Sequence, residues 1–177
     1  MNRNQIITAA GLLVCSLAIS QAKDKPRDYP TDPVPEAPKP ENWPKTLKVS
    51  GNRLVDPDGK EVWLQGLNIP GLEIVPEGHG AVFSCRVAIE DWKANVIRLP
   101  VKDEFWYGKG KGQTDGGKSY RAIIDSAVNF VANCGAYIII DHHRYRAVKE
   151  EHLPFWRDVA EKYKNHPAVI FDIINEP

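Results

Sequence analysis

From residue 47 onward, short continuous apolar runs alternate with longer stretches in which apolar residues return every three or four positions. Val96-Ile97-Arg98-Leu99-Pro100-Val101, Ala136-Tyr137-Ile138-Ile139-Ile140 and Val169-Ile170-Phe171-Asp172-Ile173-Ile174 are runs of the first kind. They are too short for helices and rich in β-branched residues, the pattern of strands covered on both faces. Phe83, Val87, Ala88, Asp91 and Trp92 recur at helical spacing before Asn95 closes the turn. Ile123, Ile124, Ala127, Val128 and Val131 mark one face of a helix from Tyr120 to Cys134, which Gly135 ends. A third helix is predicted over roughly Leu153 to Tyr163, with Trp156 on its inner face, before Asn165-His166-Pro167 turns the chain. Upstream, Leu47-Lys48-Val49 and Gly51 precede Arg53-Leu54-Val55, which with Val62-Trp63-Leu64 flanks Asp56-Pro57-Asp58-Gly59. Pro second and Gly fourth suit a type I turn, so a hairpin is predicted there, its second arm running through Gly66-Leu67-Asn68 into a first strand. Residues 102–118 read as a Gly- and Lys-rich loop. The order hairpin, β-α-β-α-β-α-β predicts an α/β fold with a parallel sheet.

The first 22 residues break this pattern. Arg3, the apolar stretch Ile6 to Leu17 and Ser20-Gln21-Ala22 have the order of an export signal cleaved near Ala22. The apolar run is too short for a membrane span. A lipoprotein signal on Cys15 is the rival reading, disfavoured because Val14 is bulky for that position. The expected location is therefore secreted or periplasmic. Residues 23–45 carry prolines at 26, 30, 33, 35, 38, 40 and 44 among charges, a linker that either spaces the domain from a surface or lies along it. The folded domain is expected over 46–177.

Charge adds little. The chain has 23 basic and 23 acidic residues, and removing Arg3 with residues 1–22 leaves 22 against 23, or −1. That balance gives no electrostatic reason to expect a nucleic-acid partner. Cys85 and Cys134 fall in helical stretches and either pair or remain buried thiols, the second being favoured.

In a parallel sheet, polar residues at the carboxyl ends of strands are the ones that reach a ligand. Here those ends carry Asn68, Arg98, Asp141-His142-His143 and Asn175-Glu176. Arg98 reads either as a structural ion pair or as a guanidinium holding a catalytic carboxylate ionised. His142 and His143 are adjacent on a strand and point to opposite sides, which disfavours a shared metal ion; one is expected in the cleft and the other packed outside. Glu176 reads as a proton donor whose pKa is raised by burial beside a second carboxylate, against the plainer reading of a salt-bridged strand end. If that proton goes to a glycosidic oxygen, Asn175, one step before, reads as the hydrogen-bond partner of the sugar 2-hydroxyl. Phe105-Trp106-Tyr107, with Trp106 foremost, reads as a stacking platform for pyranose rings or as a lid packed on the barrel.

Together these segments resemble the amino-terminal half of a glycoside hydrolase family 5 enzyme, the cellulase-type group. The resemblance covers residues 47–177 and rests on Gly66-Leu67-Asn68, Asn95-Val96-Ile97-Arg98-Leu99-Pro100, Ile140-Asp141-His142-His143 and Phe171-Asp172-Ile173-Ile174-Asn175-Glu176-Pro177. It implies the first four β/α units of a (β/α)8 TIM barrel, whose full size is about 250 residues. It further implies retaining hydrolysis of a β-linked polysaccharide without metal or cofactor, by an enzyme that is monomeric at full length. Glu176 would be the general acid/base, Asn175 the 2-hydroxyl partner, Arg98 the support of the nucleophile and His143 a substrate-binding residue; His142 occupies a variable position. The nucleophile is expected beyond Pro177, the chain being read as a partial sequence and inactive alone. Two alternatives stay open: a non-catalytic carbohydrate-binding barrel fragment, and another barrel glycosidase family that uses Asn-Glu-Pro.

Overall fold

The structure is a computed structural model that describes residues 35–177. The expected export segment, Cys15 and residues 23–34 lie outside the described residues.

Four strands, β3 (Gly66–Asn68), β4 (Val96–Val101), β5 (Tyr137–His142) and β6 (Val169–Asp172), form a parallel sheet in sequence order. Side chains alternate across each strand. Ile97, Leu99 and Val101 of β4 and Ile138, Ile140 and His142 of β5 form one fully buried face. Against it pack α1 (Ala81–Arg86), which runs on into a π-helical turn over Val87–Asp91, α3 (Lys118–Asn133) and α4 (Leu153–Tyr163). The opposite face carries Arg98, Asp141 and Asp172. Register brings them together, since Arg98 lies opposite Asn68 on β3, and Asp141 lies opposite both Pro100 and Asp172.

Local chemistry sets the element ends. Gly135, at φ 74°, closes α3: its N–H bonds the Ala132 carbonyl at 2.8 Å and the Ala136 N–H bonds Val131 at 3.2 Å. That pairing satisfies two orphan carbonyls of the helix end. Gly66 permits the close approach of β3 to β4, because a Cβ there would meet the Val96 carbonyl oxygen at 1.7 Å. Tyr120 is buried whole, its hydroxyl donating to the Leu72 carbonyl at 2.8 Å.

Two sequence expectations shift. The hairpin forms one turn earlier: β1 (Lys48–Ser50) pairs antiparallel with β2 (Arg53–Val55) around Gly51 at φ 61°. The Asp56–Gly59 turn does exist, with Asp56 Oδ1 accepting the Asp58 and Lys60 N–H groups at 2.9 Å, but beyond it only a single bridge, Val55 to Glu61, is made. The 102–118 loop also contains a short helix, α2 (Asp103–Trp106).

The described part of the proline-rich segment lies along the domain. The Asn129 and Asn133 amides donate to the carbonyls of Glu36 and Ala37 at 2.7 and 2.8 Å, and Trp43 stacks on His166 with centroids 4.1 Å apart. The Tyr137 hydroxyl donates to the Lys45 carbonyl at 2.8 Å. Cys85 and Cys134 are both free thiols, but only Cys85 is buried as expected, which pushes its thiol up to about 12; Cys134, just past the end of α3, is exposed. No helix among the described residues is long and apolar enough to cross a membrane.

Candidate active site

At the carboxyl end of the sheet, Arg98 is the hub. Its Nε donates to Asp172 Oδ2 at 3.0 Å, Nη1 to Asn68 Oδ1 at 2.9 Å and Nη2 to Asn175 Oδ1 at 2.9 Å. Nη2 also lies 3.1 Å from Asp141 Oδ1, an ion-pair contact without hydrogen-bond alignment. One guanidinium on β4 thus ties together side chains from β3, β5 and β6 and from the segment leaving β6. A fork of fixed donors is the group suited to that. Because Oδ1 of Asn175 is taken, its Nδ2 hydrogens are the ones left to offer a ligand.

Asp141 is fully buried and serves a second partner: His143 Nδ1 lies 2.8 Å from its Oδ2. A carboxylate can only accept, so a proton sits on Nδ1; in the neutral ring Nε2 is then the acceptor, with the Tyr145 hydroxyl 3.3 Å away. Burial raises the pKa of Asp141, against the lowering influence of His143 and Arg98.

Glu176 follows Asn175 directly. It is exposed, with backbone φ 50°, and its carbonyl accepts the Arg146 N–H at 2.8 Å. The expected burial beside a second carboxylate is not found among the described residues. Arg98, Asn175 and His143 are therefore brought into one network with Glu176 at its rim.

Two expected site residues lie elsewhere. His142 faces the helices, fully buried and stacked on Phe155 with centroids 4.5 Å apart; strand alternation forces this once His143 faces the cleft. Its Nε2 is 3.5 Å from Asp103 Oδ1. Burial would raise the Asp103 carboxyl, but the neighbouring His142 ring and the hydrogen-bonded Arg144 guanidinium outweigh it and hold that carboxyl well below the usual carboxylate range. Trp106 is also in the core, 3% exposed and edge-on to Phe155, so it has no open face for a sugar ring; α2 turns it inward. The lid alternative fits this placement better. Sequence reasoning passed over Asp172 and Tyr145. Counting by twos along β6 puts Asp172 on the Asp141 face, and Tyr145 is the exposed aromatic two residues past His143.

The cellulase family, glycosyl hydrolase family 5, matches residues 55–177. Endoglucanase A of Butyrivibrio fibrisolvens is 32% identical over 136 residues, covering 74% of this chain and 32% of that enzyme. Cellulase CelDZ1 of a Thermoanaerobacterium species is 29% identical over 145 residues, 75% of this chain and 34% of its own length. Among solved structures, the cellulase Cel5C_n superposes with a TM-score of 0.58 at 28% identity, over 78% of this chain and 45% of that one. A β-glucanase of Saccharophagus degradans, SdGluc5_26A, solved with cellotetraose, shares the fold with a TM-score of 0.64 at 24% identity, over 85% and 47% of the two chains. The chain spans about a third of the length of these sequence relatives and under half of these structures. The parallel sheet, its helical cover and the matched residues together place it: this chain belongs to the cellulase family, glycosyl hydrolase family 5, and forms part of its (β/α)8 barrel.

Proposed function

We propose that this chain carries the proton-donor side of a site that hydrolyses β-linked glucans with retention of configuration. The observation behind the proposal is the hub at Arg98, whose three hydrogen bonds collect Asn68, Asp172 and Asn175 directly before Glu176. Glu176 protonates the departing glycosidic oxygen while a carboxylate on the opposite side of the sugar attacks the anomeric carbon. The glycosidic bond breaks as the carboxylate–sugar bond forms. Glu176, now ionised, takes a proton from water, which displaces the enzyme carboxylate and frees the sugar. The two carboxyl groups stand about 5–5.5 Å apart in such sites. In this proposal the attacking carboxylate comes from a later strand of the barrel. Asn175 Nδ2 bonds the 2-hydroxyl, His143 Nε2 accepts from a substrate hydroxyl, and Arg98 supports the attacking carboxylate with its charge. Cellulose-like glucans are the proposed substrates, since the relatives bear the names endoglucanase and cellulase. Export through residues 1–22, action without a cofactor, and a monomeric complete enzyme belong to the same proposal.

The test is Glu176→Gln in protein carrying the complete barrel. Turnover of cellulose is expected to fall by about 10²–10⁴-fold, the usual worth of a general acid. A dinitrophenyl cellobioside, whose leaving group needs little protonation, is expected still to release dinitrophenol in a burst. Undiminished cellulose turnover by the variant overturns the assignment. A non-catalytic glycan-binding role is the second reading, favoured by the exposure of Glu176. Unchanged oligosaccharide affinity in Glu176→Ala, with no hydrolysis by wild type, selects it.

A further inference from the structure

Beside the Arg98 network lies a polar cavity of about 550 Å³ that the proposed reaction leaves unused. Four cationic side chains line it, Lys109, Arg144, Arg146 and Lys149, against the carboxylates of Asp103 and Glu151. Their partners divide them. Arg144 is taken up, with Nε donating to Asp103 at 2.7 Å and Nη2 to Glu104 at 3.2 Å. Lys149 Nζ lies 3.4 Å from Glu151, but both are largely exposed and such a pair is weak in water. Lys109 sits 5.7 Å above the Tyr107 ring, and among the described residues neither Lys109 nor Arg146 has a carboxylate partner. Among the described residues, the cavity thus holds two cations without an anionic partner.

Backbone geometry fixes one of them next to the proposed acid. Arg146 and Glu176 both adopt left-handed backbone, φ 70° and 50°, and the Arg146 N–H donates to the Glu176 carbonyl at 2.8 Å. Non-glycine residues hold that conformation only where their surroundings impose it, commonly at ligand sites. Tyr145, 55% exposed, stands between the two regions, its ring edge-on to His143 with centroids 5.5 Å apart.

We propose that this cavity is a subsite for a carboxylate-bearing sugar, a uronic-acid unit of the glycan, held through its carboxylate by Arg146 with Lys109 and Lys149 in support. The inference rests on the glycan-cleaving reading and extends its substrates from neutral glucans to β-linked chains that also carry an acidic unit. A guanidinium fork matches a planar carboxylate with two parallel hydrogen bonds. The exposed face of Tyr145 offers the pyranose an apolar surface at the same point.

The test is a ligand-observed NMR titration of protein carrying the complete barrel, with Glu176→Gln to keep the probes intact, using three probes: cellotetraose, the same tetrasaccharide with one glucuronic acid unit, and the methyl ester of that acid. The acid is expected to bind about tenfold tighter than the other two, the worth of a hydrogen bond to a charged group. The preference is expected to shrink in about 0.5 M salt, where exposed charges are screened. It is expected to vanish in Arg146→Gln and to weaken in Lys109→Gln, a second exposed position that guards against a folding defect in the first. Equal binding of acid and ester overturns the subsite, as does a preference that survives in Arg146→Gln. Neutral tetrasaccharide bound without preference sinks the subsite alone, whereas no binding of any probe by the complete barrel sinks the glycan reading with it.

Discussion

Arg98 shows how much one side chain can organise at strand ends. Asp141 is fully buried and leans on a guanidinium that is itself only a quarter exposed. Removing the cation strands a buried carboxylate, which costs about 3–5 kcal/mol in comparable pairs. Arg98→Ala is therefore expected to lose at least about 3 kcal/mol in urea unfolding. Adding Asp141→Asn is expected to recover part of it, and Arg98→Lys is expected to recover little, because one ammonium cannot reach Asn68, Asp172 and Asn175 together. Losses in Arg98→Ala and the double variant that are equal would show that Asp141 does not depend on this charge. That Arg98, His143 and Asn175 meet in one network was legible in the sequence because a polar residue within or just after an apolar strand stands out from its neighbours. Asp172 was not, since it sits inside the apolar run, and only the register across β5 and β6 gives it a partner. Trp106 misled for the opposite reason: an aromatic triplet looks the same in sequence whether its loop opens to solvent or folds into a helix over the core.

At the scale of elements, the helices and strands were legible nearly to their ends, because each combines one periodicity with a clear stop such as Gly135. The hairpin moved because two turns lie close together, Gly51-Asn52 and Asp56–Gly59, and local preference does not rank them. Two histidines at element junctions make a prediction about pH. His152, at the start of α4, and His166, before β6, both have pKa values lowered by burial, His152 also by the charge of His142. Asp103, Glu151 and Arg144 are the other charged groups acting on His152, the first two opposing the shift. Each histidine Nδ1 accepts a backbone N–H, from Lys149 at 3.2 Å and from Ala168 at 3.3 Å, which requires that nitrogen to be unprotonated. The folded chain thus binds fewer protons than the unfolded chain over this range, so stability rises with pH there. It is complete above the unfolded histidine value of about 6.5 and is lost as pH falls through the depressed folded values. Asp103 adds a loss of the same sign only below about pH 4, where an unfolded aspartate takes up its proton. Thermal scans are expected to show a flat Tm above neutrality and a decline below about pH 6.5, with a shallower decline in His166→Gln. A Tm that holds level down to pH 5 would contradict the assignment.

The whole molecule is governed by a sheet whose two outer strands, β3 and β6, each have one neighbour among the described residues. Every residue of β6 is only partly buried, including Val169, Ile170 and Phe171. On the face away from the helices, a cavity of about 370 Å³ is lined by Leu47, Val49, Leu54, Leu64, Ile139 and Ile170 among others, apolar groups that a sheet closed into a barrel would cover. Near β3, Trp92 is 68% exposed. An open sheet edge with apolar side chains is a template for pairing with another chain. Residues that commonly protect such an edge are scarce here: β6 has no lysine or proline, and its one charge, Asp172, is directed to Arg98. The segment from Pro35 to Lys45 does not help, because it covers α3 and the amino-terminal end of the sheet and leaves both edges open. The 177-residue chain is therefore expected to self-associate reversibly at micromolar concentration. Light scattering is expected to show a mass that rises with protein concentration. Replacing Ile170 with lysine, which puts a charge on the edge strand, is expected to lower that mass at a given concentration. A chain that stays at the mass of one copy across the whole range would mean that its edges are blocked by a contact the sheet order does not account for.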